Sequence, residues 1–354
     1  MLTTFLAGLV LSGCTAAPAW TPVGTGDVRP SALSASGDGV LVAGSSGSGP
    51  ALLRLGATGP TPFELDAAEP YAAQATLVVV ATGAAGVDAV GTVVGGAHGN
   101  PRWTVWDGTA DPPLLTSRPQ EFFTFGGHDA GPLLAILETS SGPVLLGSRT
   151  TNSGARAVLY TRSGTTWTPA PSPRELTSTT EVQLGFSAAA TSGALMVIAG
   201  DELLLAGGLE QRPAVWVGSG DTWRLVDLPT AGIAGSGLSL ATSVACSGGS
   251  CWLAGWVRGH PVAWRLDPSS GAAELLATLP GDPTAGNDPR ALVAVVDGVP
   301  VVATNAATPS IQLGCPSGWR SLASPGPVSA LAASGASVYA IAAGVLNRLD
   351  APSC

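Results

Sequence analysis

The sequence predicts an all-β chain: a β-propeller of seven four-stranded blades whose ring is closed by the N-terminal strand. Three observations predict it. First, one unit recurs along the chain: an apolar strand, a small turn, a second apolar strand, a Gly/Pro loop, a third strand and a short turn. A Trp often opens a fourth strand. Second, the unit averages about 48 residues over 20–354, the length of a four-stranded blade. Third, the two ends complement each other. Four residues remain after Arg348-Leu349-Asp350, too few for a fourth strand. Ala19-Trp20-Thr21-Pro22-Val23, ahead of the first hairpin, carries the Trp that opens fourth strands elsewhere. Closing the ring this way removes exposed sheet edges.

With the strands of a unit labelled A to D, seven A–B hairpins are read in order: Ala32–Ala43, Thr76–Val94, Pro132–Leu146, Ala194–Ala206, Leu238–Ala254, Ala291–Ala303 and Val328–Ala342. Third strands begin near Ala51, Arg102, Ala157, Ala214, Val262, Ser310 and Val345. The clearest internal echo sets Ala157–Trp167 against Pro213–Trp223, with the two Trp residues 56 apart. A second is Leu53-Arg54-Leu55, Trp264-Arg265-Leu266 and Asn347-Arg348-Leu349. Segment 175–192 is open between a long loop and part of another blade. A β-sandwich is the main alternative, but so long a run of one repeat fits a ring better. Trp20, Trp167, Trp223 and Trp319 recur at the start of strand D, where packing between blades is expected. Trp256 lies nearest the loop that follows its strand and is the better contact candidate.

Composition agrees. Hydrophobic residues are 45% and charged residues 11%, which allows a sizeable core and excludes charge-driven disorder. Gly and Pro are frequent without a fixed short period, which excludes collagen and suits frequent turns. The net charge is −9 and every basic residue is Arg. An acidic chain without a basic stripe is a poor nucleic-acid binder, since phosphate neutralisation supplies most of that affinity.

The chain opens with an apolar run ending in Leu11-Ser12-Gly13-Cys14, too short to span a bilayer of about 30 Å. No Lys or Arg precedes it. The run resembles the lipobox of bacterial lipoproteins: Leu, two small residues, then Cys. The resemblance implies a signal peptide over 1–13 and a lipidated Cys14 as the mature N-terminus. A tether completes 14–19, the propeller fills 20–354, and the chain sits on the outer face of the bacterial cytoplasmic membrane. Four further cysteines remain, an even number in an exported chain. Cys246 and Cys251 read as a clamp across a hairpin turn, which leaves Cys315 to pair with Cys354. The histidines lie mostly far from these cysteines, so no metal site is expected.

Ser219-Gly220-Asp221-Thr222-Trp223 resembles the Asp-box of sialidase-like propellers, although it is shorter and lacks the following Gly. Ser163–Trp167 and Pro316–Trp319 are weaker copies. In that family the box is a structural turn remote from the active site, so the resemblance implies fold and not chemistry. A sialidase-type hydrolase needs an arginine triad, a Tyr nucleophile with a Glu partner and an Asp acid/base. Only Tyr71, Tyr160 and Tyr339 are available, the last two inside strands. Tyr71, just after Glu69-Pro70, sits in a loop. There is no Gly-x-Ser-x-Gly elbow.

In a propeller the D–A and B–C connections share one face, the top, where most propeller ligands bind. All three histidines and Arg29, Arg118, Arg149, Arg174, Arg212, Arg258 and Arg290 fall in such connections. The bottom carries Asp38, Asp107, Asp111, Asp221, Asp267 and Asp297, with Arg162. The candidate binding face is therefore His98, Arg149, Arg212, Trp256, Arg258, His260 and Arg290. The functional expectation is a non-catalytic, lipid-anchored binding or scaffold module, without a cofactor, for an envelope protein or an extracellular glycan. The competing expectation is a sialidase-like or other glycoside hydrolase propeller, which a carboxylate pair facing the central funnel would mark.

Overall fold

The computed structural model describes residues 19–37, 39–84, 86–95, 100–281, 290–352 and 354. Seven antiparallel sheets follow one another around a ring, each inner strand packing against the inner strands of both neighbours. Blade 1 is Arg29–Ser36, Gly39–Ser46, Gly49–Gly56 and Gly59–Pro62, counted outward from the channel. Blade 7 is Val328–Ser334, Ser337–Ala342, Val345–Asp350 and, as its strand D, Thr21–Pro22. Thr21 pairs with Arg348 and Pro22 with Asn347, so the N-terminal segment closes the ring as the sequence predicts.

Two details differ from expectation. The segment 194–206 is not a hairpin: Leu195–Leu204 is a single strand B, and its strand A is Val182–Ser192. Asp201-Glu202 after Ala199-Gly200 imitates a turn. The true strand A is rich in Ala and only half buried, because one edge faces the channel, so its β signal is weak. In blade 2, Glu64–Asp66 adds a fifth, outermost strand parallel to Pro113–Arg118.

The core is not central. It is divided into seven apolar layers, one at each joint between adjacent blades. This arrangement explains why B strands read as continuous apolar runs: blades cover both of their faces, and Val40, Leu41, Val42 and Ala43 are all fully buried. Trp20, Trp167, Trp223 and Trp319 each pack in the joint with the preceding blade. The chain is cross-linked at Cys246–Cys251, across a hairpin turn, and at Cys315–Cys354, as expected. Two disulfides indicate folding in an oxidising compartment.

Candidate functional site

The connection from blade 2 to blade 3 builds the most distinctive feature of the top. Its residues 119–129 contain Phe122-Phe123-Thr124-Phe125 as one helical turn. Phe125 turns inward and meets the Tyr160 ring edge-on at 4.9 Å. Phe122 and Phe123 turn outward, 52% and 73% exposed. Gln120 pins the start of the loop to blade 3: its amide nitrogen donates to the Thr165 carbonyl at 2.8 Å, and its oxygen accepts from Trp167 N–H at 2.9 Å. Arg149, at the top of strand B of blade 3, pins the other end. Its guanidinium grips Asp129 through Nε and Nη2 at 3.0 and 2.6 Å and donates to the carbonyls of Phe123, Thr124 and Gly126.

This loop and the upper ends of strands Gly86–Gly95 and Asn100–Ala110 enclose a two-lobed cleft. The larger lobe holds about 870 Å³, between Val94, Trp103, Phe122, Phe123 and His128. The smaller holds about 410 Å³ and adds Glu69, Tyr71 and Glu121. Arg102 lines both lobes. Its guanidinium carbon lies 5.0 Å from the Phe122 ring centre and 5.8 Å from that of Tyr71. Its Nε is buried without a hydrogen-bond partner, as is one oxygen of Glu69. Burial pushes the Glu69 carboxyl above its usual range. The arrangement offers flat aromatic faces, the Arg102 guanidinium and the carboxylates of Glu69 and Glu121 in a partly desolvated groove of ligand-binding size.

The residues singled out from the sequence are distributed around the top. Arg149 is the loop clamp described above. Arg212 is paired with Glu210 at 2.8 Å on blade 4. Arg258 and His260 flank the B–C turn of blade 5, where Arg258 donates to the Ile233 carbonyl at 2.5 Å. Arg290 donates to the Ser329 carbonyl at 3.3 Å, toward blade 7. Trp256 is 0% exposed: it sits in a strand covered on both faces and offers no contact surface. His98, like Cys14, lies outside the described residues. These positions form no single cluster, and acids sequence reasoning passed over accompany them: Asp129 with Arg149, Glu175 with Arg174 and Glu210 with Arg212. The top is therefore a field of ion pairs and not an Arg-rich surface.

The cleft residues Arg102, Trp103, Phe122 and Phe123 were missed. The available signal was a Phe doublet inside a connection too short to bury three phenylalanines. Near its bottom end the central channel has one carboxylate, Glu138, among its described lining residues. Burial pushes it above its usual range, with Arg162 opposing. Among the described residues, no group of three or more His, Cys, Asp and Glu could hold a metal ion.

No protein-family model and no curated protein matches the chain. Solved structures do. Polysaccharide lyase Uly1 is 10% identical with a TM-score of 0.54, over 98% of this chain and 94% of that one. The extracellular domain of the putative one component system BT4673 from B. thetaiotaomicron is 12% identical with a TM-score of 0.56, over 95% of this chain and 43% of that one. The GH74 xyloglucanase from Xanthomonas campestris is 15% identical with a TM-score of 0.52, over 94% and 52%. At such identities the likeness is one of fold: this chain is a seven-bladed all-β propeller.

Proposed function

We propose that this protein is an exported, lipid-anchored propeller that binds a glycan, without transforming it, in the aromatic cleft between blades 2 and 3. The observation that carries the reading is the pair Phe122 and Phe123, held outward by a loop that Gln120, Phe125 and Asp129 pin to blade 3. Large exposed apolar residues gathered beside a cleft mark recognition surfaces, and an aromatic face is the natural platform for the C–H face of a sugar ring. Two of the propellers this chain resembles are a polysaccharide lyase and a xyloglucanase, a fold that glycan-active proteins use. The anchor rests on Leu11-Ser12-Gly13-Cys14.

The test is retention on a panel of immobilised polysaccharides, with Phe123→Ala beside the wild type. Phe123 is so exposed that its loss leaves the fold intact, and affinity is expected to fall about tenfold or more, as for an aromatic hot spot. Retention that is absent from the wild type, or indifferent to Phe123→Ala, sinks the proposal. One observation favours a second reading: Glu69 and Tyr71 share the smaller lobe with Arg102, the residue types of a Tyr-based hydrolase. New reducing ends in the bound polysaccharide, lost in Glu69→Gln, would establish that reading instead.

A further inference from the structure

Resting on the glycan reading above, we infer that the cleft selects acidic glycans, and that Arg102 receives the carboxylate of a uronic acid whose ring lies on the aromatic wall of the larger lobe. Arg102 differs from several other arginines of the molecule in its partners. Arg118 and Arg162 are paired with Asp107 and Asp88, and Arg149 with Asp129. Arg224 donates to the Pro268 and Ser269 carbonyls, and Arg258 to the Ile233 carbonyl. Arg102 has no hydrogen bond or ion pair to any described residue. Its guanidinium lies against the Phe122 and Tyr71 rings, and its Nε is buried with no partner. A guanidinium donates five N–H groups in a fixed fork, and buried polar groups are ordinarily satisfied. A guanidinium that lines a cleft without a protein acceptor is therefore available to a ligand acceptor.

Charge and shape narrow the ligand. The protein carries net charge −9, yet no carboxylate is among the described residues lining the larger lobe, where Arg102 and His128 are the charged or titratable groups. That lobe repels anions less than the rest of the molecule does. One guanidinium matches the two oxygens of a carboxylate in a bidentate pair. A phosphate, with more charge and a third oxygen, would leave acceptors unmet there. The remaining wall, Val94, Trp103, Phe122 and Phe123, wants an apolar face. A uronic acid presents both on one ring, with hydroxyls left for the unpartnered Glu69 oxygen across Arg102.

The experiment is titration calorimetry with uronate-containing oligosaccharides, namely oligogalacturonate, oligomannuronate and oligoglucuronan, each beside its carboxyl-reduced, neutral counterpart. At least one acidic oligosaccharide is expected to bind about tenfold or more tightly than its reduced form, with affinity falling as salt is raised. Arg102→Gln should remove that preference, bringing the affinities for the acidic and reduced forms together. Arg102→Lys, keeping the charge without the fork, should restore it in part. If Arg102→Gln does not fold, the comparison of acidic and reduced ligands on the wild type still decides. Equal binding of acidic and reduced forms, both lost in Phe123→Ala, overturns the uronate inference and leaves the glycan reading standing. No binding of any oligosaccharide, acidic or neutral, overturns both.

Discussion

Arg149, bound to the loop that frames the cleft, and Arg102, which lines it, do opposite things with the same side chain. Arg149 is 13% exposed as a side chain, and Asp129 and three backbone carbonyls of the 119–129 loop accept its donors. Its hydrogen bonds hold the Asp129 carboxyl below its usual range. It is thus a positioning residue: it fixes the turn that presents Phe122 and Phe123. Replacing it with Met leaves those carbonyls without their charged donor, and stability should fall by about 2 kcal/mol. A local signature separates this from general weakening. Amide exchange should accelerate in 121–129 before it does in the strands, and ligand affinity should fall although Arg149 does not line the cleft. Unchanged exchange in that loop would show that Arg149 is not its clamp. The sequence placed Arg149 on the top, because it follows a strand B. It could not show the use made of it, since Asp129 lies twenty residues earlier and reaches it only across a hairpin. Arg102 was legible as the start of a third strand and no more. Its significance is the absence of a partner, which only three dimensions reveal.

At the scale of strands and blades, the hairpins were legible because apolar runs alternate with Gly-rich turns, and blade 4 failed where that signal weakened. A further repeat went unread. In several blades the upper part of strand A carries a β-bulge, and a Gly of strand B lies against it. A Cβ on Gly44 would sit 2.0 Å from the Arg29 carbonyl oxygen, and one on Gly200 1.9 Å from that of Gly185. Ala-Gly in a strand B is therefore a packing requirement and not a weak strand. The joints between blades are mostly apolar, and that between blades 2 and 3 also buries a charge. Arg162 of blade 3 is paired with Asp88 of blade 2, which is 3% exposed. Burial pushes the Asp88 carboxyl up from 3.8 to about 6, outweighing the Arg162 charge that lowers it. The raised value fixes the sign. The folded protein holds this proton more tightly than the unfolded chain does, so the contribution is fully present below about pH 4 and is lost as pH rises toward 6. Relative to Asp88→Asn, wild-type stability should decline over that window by up to about 3 kcal/mol. Parallel denaturant curves at pH 4 and pH 7 measure it. A difference that is flat, or grows with pH, would mean that the Arg162 attraction dominates the joint.

For the molecule as a whole, the decisive feature is how a linear chain closes a ring. Closure rests on a short strand: Thr21 and Pro22 pair with blade 7, Val23 N–H donates to the Leu346 carbonyl at 2.8 Å, and Trp20 Nε1 donates to that of Ala323 at 2.7 Å. From the other terminus, Cys354 is tied to Cys315, 39 residues earlier in blade 6. By loop-closure entropy this bridge contributes about 3–4 kcal/mol. Cys315→Ser/Cys354→Ser should lower stability by that amount, and a change near zero in denaturant titration would assign closure to the N-terminal strand and the apolar joints alone. The same strand fixes orientation. Strand C of blade 7 descends from Val345 at the top to Asp350 at the bottom, and Thr21–Pro22 runs antiparallel to it, so the chain climbs as it enters the blade, arriving from the bottom side. If Cys14 carries the lipid, the five residues of 15–19 reach at most about 18 Å. The bottom then lies against the membrane, and the cleft of blades 2 and 3 faces outward, where a glycan can enter. Two single thiols test this, with both disulfides left oxidised and therefore unreactive: Ala336→Cys, in the bottom turn beside the ring closure, and Asn152→Cys, in the top turn of blade 3. Carrying an environment-sensitive dye on lipid vesicles, the first should report an apolar surround and the second water. The reverse pattern would turn the cleft toward the bilayer and remove the topological reason for a soluble glycan ligand.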